Sequence, residues 1–246
     1  MNQTIRELMA RKSVRAFTDA PIPADAKEAI LLAAANAPTA GNQQLYTIID
    51  VTDPALKATL ADTCDHQPFI ATAQMVLIFC ADCRKWYEAF RAAGCAPRDP
   101  GAGDLLLAVS DATIAAQNAV VAAESLGIGS CYIGDIMEGC ETHQSLLHLP
   151  RWVFPCCMLV FGYPTQQQME RVKPARADMG HIVHENAYRD MDAEELQALF
   201  SPKAIARPYA DWMQTFCDRK YNSDFSREMT RSVAAYLRDF APLDGQ

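Results

Sequence analysis

Two short basic segments carry the side chains best suited to bind an anion. Residues 11–15 read Arg-Lys-Ser-Val-Arg, which places three cations and a hydroxyl just after a predicted helix. Arginine forms paired hydrogen bonds with phosphate oxygens, and serine adds a further donor. In the second segment Lys173 and Arg176 lie on either side of a proline. Each segment alone is also typical of a solvated helix end or loop, but together they could hold one phosphate.

Two further segments could contact a ligand, one through polar side chains and the other through glycine backbone. The first is Ala-Pro-Thr-Ala-Gly-Asn-Gln-Gln, residues 37–44, of which residues 37–42 are predicted to form a loop. Asn42 and Gln44 each carry a donor and an acceptor, which suits the amide edge of a heterocycle, although an ordinary Asn/Gly turn has the same composition. Residues 127–136 contain three glycines that would let a ligand approach the backbone. They are not a dinucleotide fingerprint, because G-x-G-x-x-G is incomplete and a helix precedes them instead of a strand.

The cysteines and histidines suggest neither a disulfide framework nor a metal site. Nine cysteines at irregular spacing are a poor disulfide pattern, and the C-x-x-C of Cys80 and Cys83 has no second pair to complete a zinc site. This pair closes the apolar run 75–80, so buried thiols are favoured over a redox pair. The same interpretation applies to Cys156 and Cys157. No histidine has metal-ligand spacing, and neither G-x-S-x-G nor a cysteine with a credible base supports a hydrolase.

Composition limits the class of protein and its partners. Half of the 246 residues are apolar and 21% are charged, which predicts one sizeable domain with a packed core. The net charge of −8 argues against binding to nucleic acid or to an anionic membrane. The N-terminal residues lack the apolar run of a signal peptide, and no stretch is expected to span a bilayer. We therefore expect a soluble cytoplasmic protein.

The predicted elements favour an α+β fold. Helices are predicted over 4–9, 24–35, 54–62, 104–126 and from 192 onward, and strands over 46–51, 75–80, 130–133 and 158–163. These elements lack a regular β-α-β rhythm, which argues against a doubly wound sheet. Residues 94–103 form a Gly/Pro-rich loop. The helix at 104–126 has almost no charge in its middle, so it is expected in a core or at a subunit interface.

The order of the motifs along the chain resembles that of the nitroreductase family of flavoproteins. R-K-S-V-R-x-F (11–17) and A-P-T-A-G-N-x-Q (37–44) are similar to the family's opening. G-I-G-x-x-Y-I-G-D-I (127–136) is similar to its central flavin-contacting segment, and K-P-x-R (173–176) to its second phosphate-binding segment. The likeness covers about residues 4–188. His66-Gln67, the FCAD tetrapeptide and the C-terminal helices resemble the NADPH-dependent, oxygen-insensitive subgroup.

The resemblance implies a fold and an activity. One domain over residues 1–246 is expected, with a central, mostly antiparallel sheet flanked by helices and a helical extension from about residue 189. Family members are homodimers with FMN in each of two interface clefts. Ping-pong hydride transfer from NADPH or NADH to a nitroaromatic, a quinone or free flavin is expected, without a catalytic acid or base or a metal. The alternatives are reductive dehalogenation, enoyl reduction, or a non-catalytic redox sensor that uses Cys80 and Cys83.

The resemblance also implies a set of FMN contacts. The expected contacts are Arg11, Lys12, Ser13, Val14, Arg15, Thr39, Asn42, Gln67, Tyr132, Ile133, Gly134, Asp135, Lys173 and Arg176. Arg11 and Ser13, with Lys173 and Arg176, are expected to hold the FMN phosphate. Arg15 is expected at the flavin N1/O2 edge, where its charge stabilises the reduced ring. The subgroup commonly has K-P-R without a spacer, so the inserted Ala175 leaves the role of Arg176 open.

The remaining expected contacts concern the ring, the ribityl chain and the nicotinamide donor. Thr39 and Gln67 are expected to hydrogen-bond the ribityl or pyrimidine portion. The backbone N–H groups of residues 134–135 are expected to face N5 and O4. A C-terminal arginine is expected near the nicotinamide phosphate, and the sequence leaves Arg227 and Arg231 as alternatives.

Overall fold

The computed structural model describes residues 1–205 and 207–240, which form two compact units. Of the described residues, the first unit comprises 1–171 and 229–240, and the second comprises 172–205 and 207–228. The helices up to the boundary of the second unit are α1 Gln3–Ala10, α2 Ala24–Ala35, α3 Pro54–Thr63, α4 Phe69–Thr72, α5 Arg84–Ala92, α6 Ala102–Ser125, α7 Cys140–Leu146 and α8 Gln166–Glu170. They are followed by α9 Ala193–Phe200, α10 Tyr209–Lys220 and α11 Asp224–Leu237. The predicted helical tail is confirmed over the described residues.

A four-stranded antiparallel sheet forms the centre of the first unit. Its strands are β1 Tyr46–Asp50, β2 Met75–Asp82, β3 Gly129–Ile133 and β4 Val153–Gly162, in the order β1-β2-β4-β3. Every neighbouring pair is antiparallel, which confirms the predicted sheet. β4 begins five residues before its predicted start and includes Pro155. The register of β2 shifts between Phe79 and Cys80, opposite this proline, and such a bulge tolerates a residue without an N–H.

The sheet is covered on both faces, which explains the unbroken apolar sequence of β2. Leu77 and Phe79 pack into the core that contains α2 and α6, whereas Val76 and Ile78 pack into a second core that contains α3. Successive side chains of a strand point to opposite faces, so a strand buried on both sides has no polar alternation. The predicted buried strand is confirmed.

The long helix α6 requires a correction to the sequence analysis. By length and composition alone it is apolar enough to cross a membrane, so the expectation that no stretch reaches this limit is wrong. Nine of its residues are buried in the first unit, five of them between Asp111 and Ala119. Packing against the sheet and α2 makes α6 a core helix, and such a helix passes the same compositional test.

Helix α5 was not predicted, and neither were the short helices α4, α7 and α8. A buried carboxylate supports the start of α5. Asp82 Oδ1 accepts from the backbone N–H groups of Arg84 and Lys85, each at 3.1 Å, and Oδ2 accepts from the Thr47 hydroxyl at 2.6 Å. A side-chain acceptor of this kind stabilises a helix start. Here the acceptor, Asp82, is the last residue of β2, and its third partner, Thr47, belongs to β1.

Candidate functional site

The basic segment 11–15 lies along the free edge of β3. Ser13 forms a parallel bridge with Ser130, and the Val14 N–H donates to the Ser130 carbonyl at 2.9 Å. Further along, Phe17 forms an antiparallel bridge with Pro164. The first unit thereby brings together two segments that were predicted from separate motifs.

A glycine makes this close approach possible. A Cβ atom on Gly129 would lie 2.6 Å from Val14 Cγ2, inside any normal contact distance. Val14 is buried, so its side chain has little room to move away. The sequence suggested that glycines in residues 127–136 serve a close backbone approach, and at Gly129 the approaching group is the basic segment itself.

Three predicted phosphate or flavin ligands surround the thiol of Cys131. Burial raises the pKa of this thiol, whereas the charges of Arg15 and Arg11 and a hydrogen bond with Ser13 lower it. The Arg11 Nη1 atom is buried, and among residues 1–205 and 207–240 it has no hydrogen-bond partner; the same holds for Ser130 Oγ. A buried guanidinium nitrogen without an acceptor is costly in a protein alone, so these residues fit a bound anion such as the FMN phosphate.

Lys12 and Arg171 link the basic segment to the chain after β4. The Lys12 ammonium donates to the carbonyl oxygens of Met169, at 2.6 Å, and of Arg171. In return, the Arg171 guanidinium donates to the Ser13 carbonyl at 2.5 Å. The Arg15 N–H donates to Gln168 Oε1 at 3.2 Å. These contacts hold residues 12–15 in place, and Arg171 is a residue that the sequence analysis missed.

Gln67 and Asp135 both interact with Cys64. The Gln67 amide donates to the Cys64 carbonyl at 2.8 Å, within the turn between α3 and α4. Burial raises the pKa of the Cys64 thiol to about 12, and the negative charge of Asp135 adds to the increase. Asp135 begins a 3-10 turn, Asp135–Met137, directly after Gly134. The structure therefore brings the predicted Gln67 and 134–135 contacts into one neighbourhood.

The two other predicted contacts of β3 have different surroundings. The Tyr132 hydroxyl donates to Gln117 Oε1 at 3.3 Å. Burial raises the pKa of Tyr132, while the charge of Arg11 acts in the opposite direction. Ile133 is buried in the core that contains α3, and only its backbone remains as a contact group for a cofactor.

The 37–44 loop is fastened to α6 by Asp111, a buried carboxylate to which the sequence analysis gave no role. Asp111 accepts hydrogen bonds from the Thr39 hydroxyl at 2.5 Å, the Ala40 N–H at 2.9 Å and the Leu45 N–H at 3.2 Å. The Thr39 oxygen also accepts from the Gln44 N–H at 2.8 Å, so a single acceptor position remains for a ligand. A lone carboxylate in the apolar sequence of a helix is the signal that could have revealed this role.

Asn42 differs from Thr39 in being exposed and in adopting a left-handed backbone conformation, with φ of 57°. Its N–H donates to the Thr39 carbonyl at 3.4 Å, which closes a single 3-10 turn. The amide side chain is therefore presented at the surface of the first unit. The expected loop at residues 37–42 is confirmed, with this turn inside it.

The second predicted phosphate segment belongs to the second unit. Arg176 lines a cleft of about 500 Å³ together with Asp178, His181 and Lys203. Lys173 lies three residues earlier, at the start of the same unit. The joint phosphate clamp of this segment and residues 11–15 stays a prediction.

The two C-terminal arginines have different partners. Arg231 forms a two-pronged ion pair with Glu141, both distances being 2.9 Å, and this contact lowers the pKa of Glu141 to about 2. Arg227, in the second unit, donates to Asp224 at 3.2 Å, and its side chain is 71% exposed. Arg227 is consequently the more accessible of the two.

The C-x-x-C thiols are buried, as the sequence predicted. Cys80 is fully buried and Cys83 is 5% exposed. Burial raises the pKa of each thiol to about 12, so both are protonated at neutral pH. Cys156 and Cys157 are also buried. This environment does not favour the redox-sensor alternative, which needs an accessible thiolate.

Comparisons with known proteins agree with the fold and the motifs. Residues 8–163 match the model of the Nitroreductase family. The chain is 36% identical over 197 residues to an oxygen-insensitive NADPH nitroreductase of Salmonella typhimurium, covering 80% of this chain and 79% of the relative. It is 30% identical over 247 residues to an FMN reductase [NAD(P)H] of Bacillus subtilis, covering 96% and 91%.

A solved structure shows the same architecture. The NADPH:FMN oxidoreductase from Vibrio harveyi, complexed with NAD⁺, superposes with a TM-score of 0.82 at 26% sequence identity, over 96% of this chain and 98% of that one. The predicted nitroreductase-like fold is thereby confirmed. Because the family match alone spans more than half of the residues, this chain belongs to the nitroreductase family.

Proposed function

We propose that this chain is an FMN-dependent oxidoreductase that uses NAD(P)H to reduce a small electron-poor acceptor. The observation that carries the proposal is the buried, unpartnered Arg11 nitrogen among the described residues, beside Ser13 and Arg15 on the β3 edge. Relatives named as an NADPH nitroreductase and an FMN reductase support the same chemistry. Nitroaromatics, quinones and free flavin are the candidate acceptors, and the donor is NADPH or NADH.

Different residues of the site are proposed to bind the phosphate and the ring of the cofactor. Arg11 and Ser13 would donate to the phosphate oxygens of bound FMN, and the contribution of Lys173 and Arg176 stays a prediction. Arg15 places positive charge near the ring edge on which negative charge develops during reduction. Bound FMN supplies the hydride transfer, so no side chain need act as an acid or base.

The 2′-phosphate of NADPH, which NADH lacks, needs an accessible cation. Arg227 meets this requirement better than Arg231. The Arg231 guanidinium is held by both oxygens of Glu141, whereas the Arg227 guanidinium contacts the fully exposed Asp224. Loss of Arg227 is expected to raise the KM for NADPH more than that for NADH. An equal change in both values would argue against this assignment.

The proposal includes a cytoplasmic homodimer. Its support is a set of exposed apolar side chains on two helices of the first unit. On α6, Leu106 and Leu107 are 68% and 52% exposed, and on α1 both Ile5 and Leu8 are more than two-fifths exposed. Burial of such side chains against a second copy would remove apolar surface from water. Light scattering is expected to give a dimer for the native chain and a monomer for Leu106→Glu; a monomeric native chain would contradict the proposal.

Absorption spectroscopy of the purified protein tests the core of the proposal. A flavin absorption band at about 450 nm should bleach on addition of NADPH or NADH. Arg11→Met should weaken FMN binding about 10- to 100-fold, because a charge-assisted hydrogen bond is worth about 1.5–3 kcal/mol. Arg6→Met is the matched control, since Arg6 is an exposed α1 arginine whose contact is with the Met1 carbonyl. The absence of a flavin band, or equal affinities in the two variants, would overturn the proposal.

A further inference from the structure

A buried imidazole lies between the turn that carries Asp135 and the turn that carries Gln67. His143, in α7, is fully buried. Its Nδ1 atom is 2.6 Å from the Glu138 carbonyl oxygen, and its Nε2 atom is 3.0 Å from Thr63 Oγ1. The Cys64 sulfur is 4.0 Å from the same Nε2 atom.

The chemistry of the partners fixes which nitrogen carries the proton. A carbonyl oxygen can only accept, so Nδ1–H donates to Glu138. Burial lowers the pKa of His143, so the ring is neutral and Nε2 is an acceptor. The Thr63 hydroxyl can donate to Nε2, although its proton has a second acceptor in the Thr59 carbonyl at 3.1 Å. The Cys64 thiol is the other available donor.

Both ends of this hydrogen-bond chain lead to predicted flavin contacts. Glu138 directly follows the Asp135–Met137 turn, and its N–H donates to the Asp135 carbonyl at 3.0 Å. At the other end, Cys64 ends α3, and its carbonyl oxygen accepts the Gln67 amide at 2.8 Å. One imidazole therefore connects two chain segments that are about 70 residues apart in sequence.

We propose that His143 is a positioning residue for the flavin site: its neutral ring sets the separation between the Asp135 turn and the Gln67 turn. This inference rests on the proposed function, because both turns matter only if they contact the flavin. His143 does not touch the cofactor in this scheme and acts through Glu138 and Thr63.

A cysteine–histidine nucleophile is the other reading of the same cluster, and the geometry argues against it. Cys64 is fully buried and has no exposed surface at which a substrate could be attacked. Burial also raises the pKa of its thiol to about 12, so the thiolate is scarce at neutral pH. The cluster is thus suited to holding two turns and not to covalent chemistry.

The test uses the FMN-loaded enzyme and three replacements of His143. Leucine fills the space without hydrogen bonds, asparagine keeps a donor near the Nδ1 position, and glutamine keeps a polar group near the Nε2 position. His143→Leu is expected to shift the flavin absorption maximum and midpoint potential, and to lower kcat about 10- to 100-fold, as misplacement of reacting groups does. His143→Asn should restore most of both properties, because the 2.6 Å contact is the shorter one.

A second variant separates positioning from stability. Leu146 lies in α7, as His143 does, and packs on the core that contains α3. Leu146→Ala removes this apolar side chain. It is expected to lower the unfolding midpoint and to leave the flavin spectrum and potential unchanged. If His143→Leu behaves in the same way, the inference is wrong. If His143→Leu does not fold, equal spectra and potentials in the folded Asn and Gln variants would refute it. A native chain that binds no flavin would instead overturn the proposed function.

Discussion

Replacement of Asp111 by alanine tests whether one buried carboxylate fixes the 37–44 loop. Asp111 is 3% exposed and accepts three hydrogen bonds, two of them from the backbone N–H groups of Ala40 and Leu45. Alanine removes all three acceptors. The buried Leu45 N–H is then left without a partner, whereas water can reach the Ala40 N–H and the Thr39 hydroxyl, which are only partly buried.

The expected magnitude follows from these three contacts. A buried donor left unsatisfied costs about 1–3 kcal/mol, and each hydrogen bond to a charged group is worth about 1.5–3 kcal/mol. Hydration of the two partly buried donors, and relief of the cost of burying the carboxylate, offset a part of this sum. We expect Asp111→Ala to lower the free energy of unfolding by about 3 kcal/mol. Asp111→Asn should lower it by about 1–2 kcal/mol, because one oxygen acceptor remains.

Urea unfolding followed by tryptophan fluorescence measures the effect. Trp86 is a suitable reporter, because its indole N–H donates to the Gln43 carbonyl within the same loop at 2.7 Å. Ser110→Ala is the matched control: Ser110 adjoins Asp111, but its hydroxyl donates to the Leu106 carbonyl of its own helix. This control should change stability by less than about 0.5 kcal/mol. The reasoning is refuted if Asp111→Ala and Ser110→Ala unfold at the same urea concentration with the same slope.

Three further predictions concern other parts of the first unit. Gly129→Ala should destabilise the protein by about 1–3 kcal/mol and weaken FMN binding, because its methyl group would collide with Val14; an unchanged urea midpoint would contradict this. An NMR titration should give Glu141 a pKa of about 2, so the stabilisation by its ion pair persists above the carboxyl's ordinary pKa and is lost only as the pH falls through about 2. Arg231→Met should return this pKa to the ordinary range, and no change would exclude the pair. Cys95→Ser should abolish the fastest reaction of the native protein with a thiol reagent, since Cys95 is exposed, Cys217 is half-buried and the other seven cysteines are buried; fast reaction of more than one thiol in this variant would disprove that burial.

Much of the fold was predictable because it depends on local sequence. The helix at 24–35 and the buried strand β2 follow from composition and from apolar runs bounded by turn residues, and the structure places both within two residues of the prediction. β4 was predicted only in its second half. Its first half contains Pro155, a residue that usually interrupts a strand. The irregularity that accommodates this proline leaves Cys156 of β4 unpaired between Phe79 and Cys80 of β2, so it is a feature of the strand pairing that no local pattern could reveal.

The sequence by itself determined which segments carry the chemistry. The basic run 11–15 and the segment 127–136 are recognisable from residue types and spacing, and their order along the chain identifies the family. Only the tertiary structure decided which groups hold the candidate site segments in place. These groups are Asp111 for the 37–44 loop, Arg171 for residues 12–13 and His143 for the turn before α7. The physical reason is that the partner of a buried polar group is set by packing, and Asp111 meets Thr39 from 72 residues away.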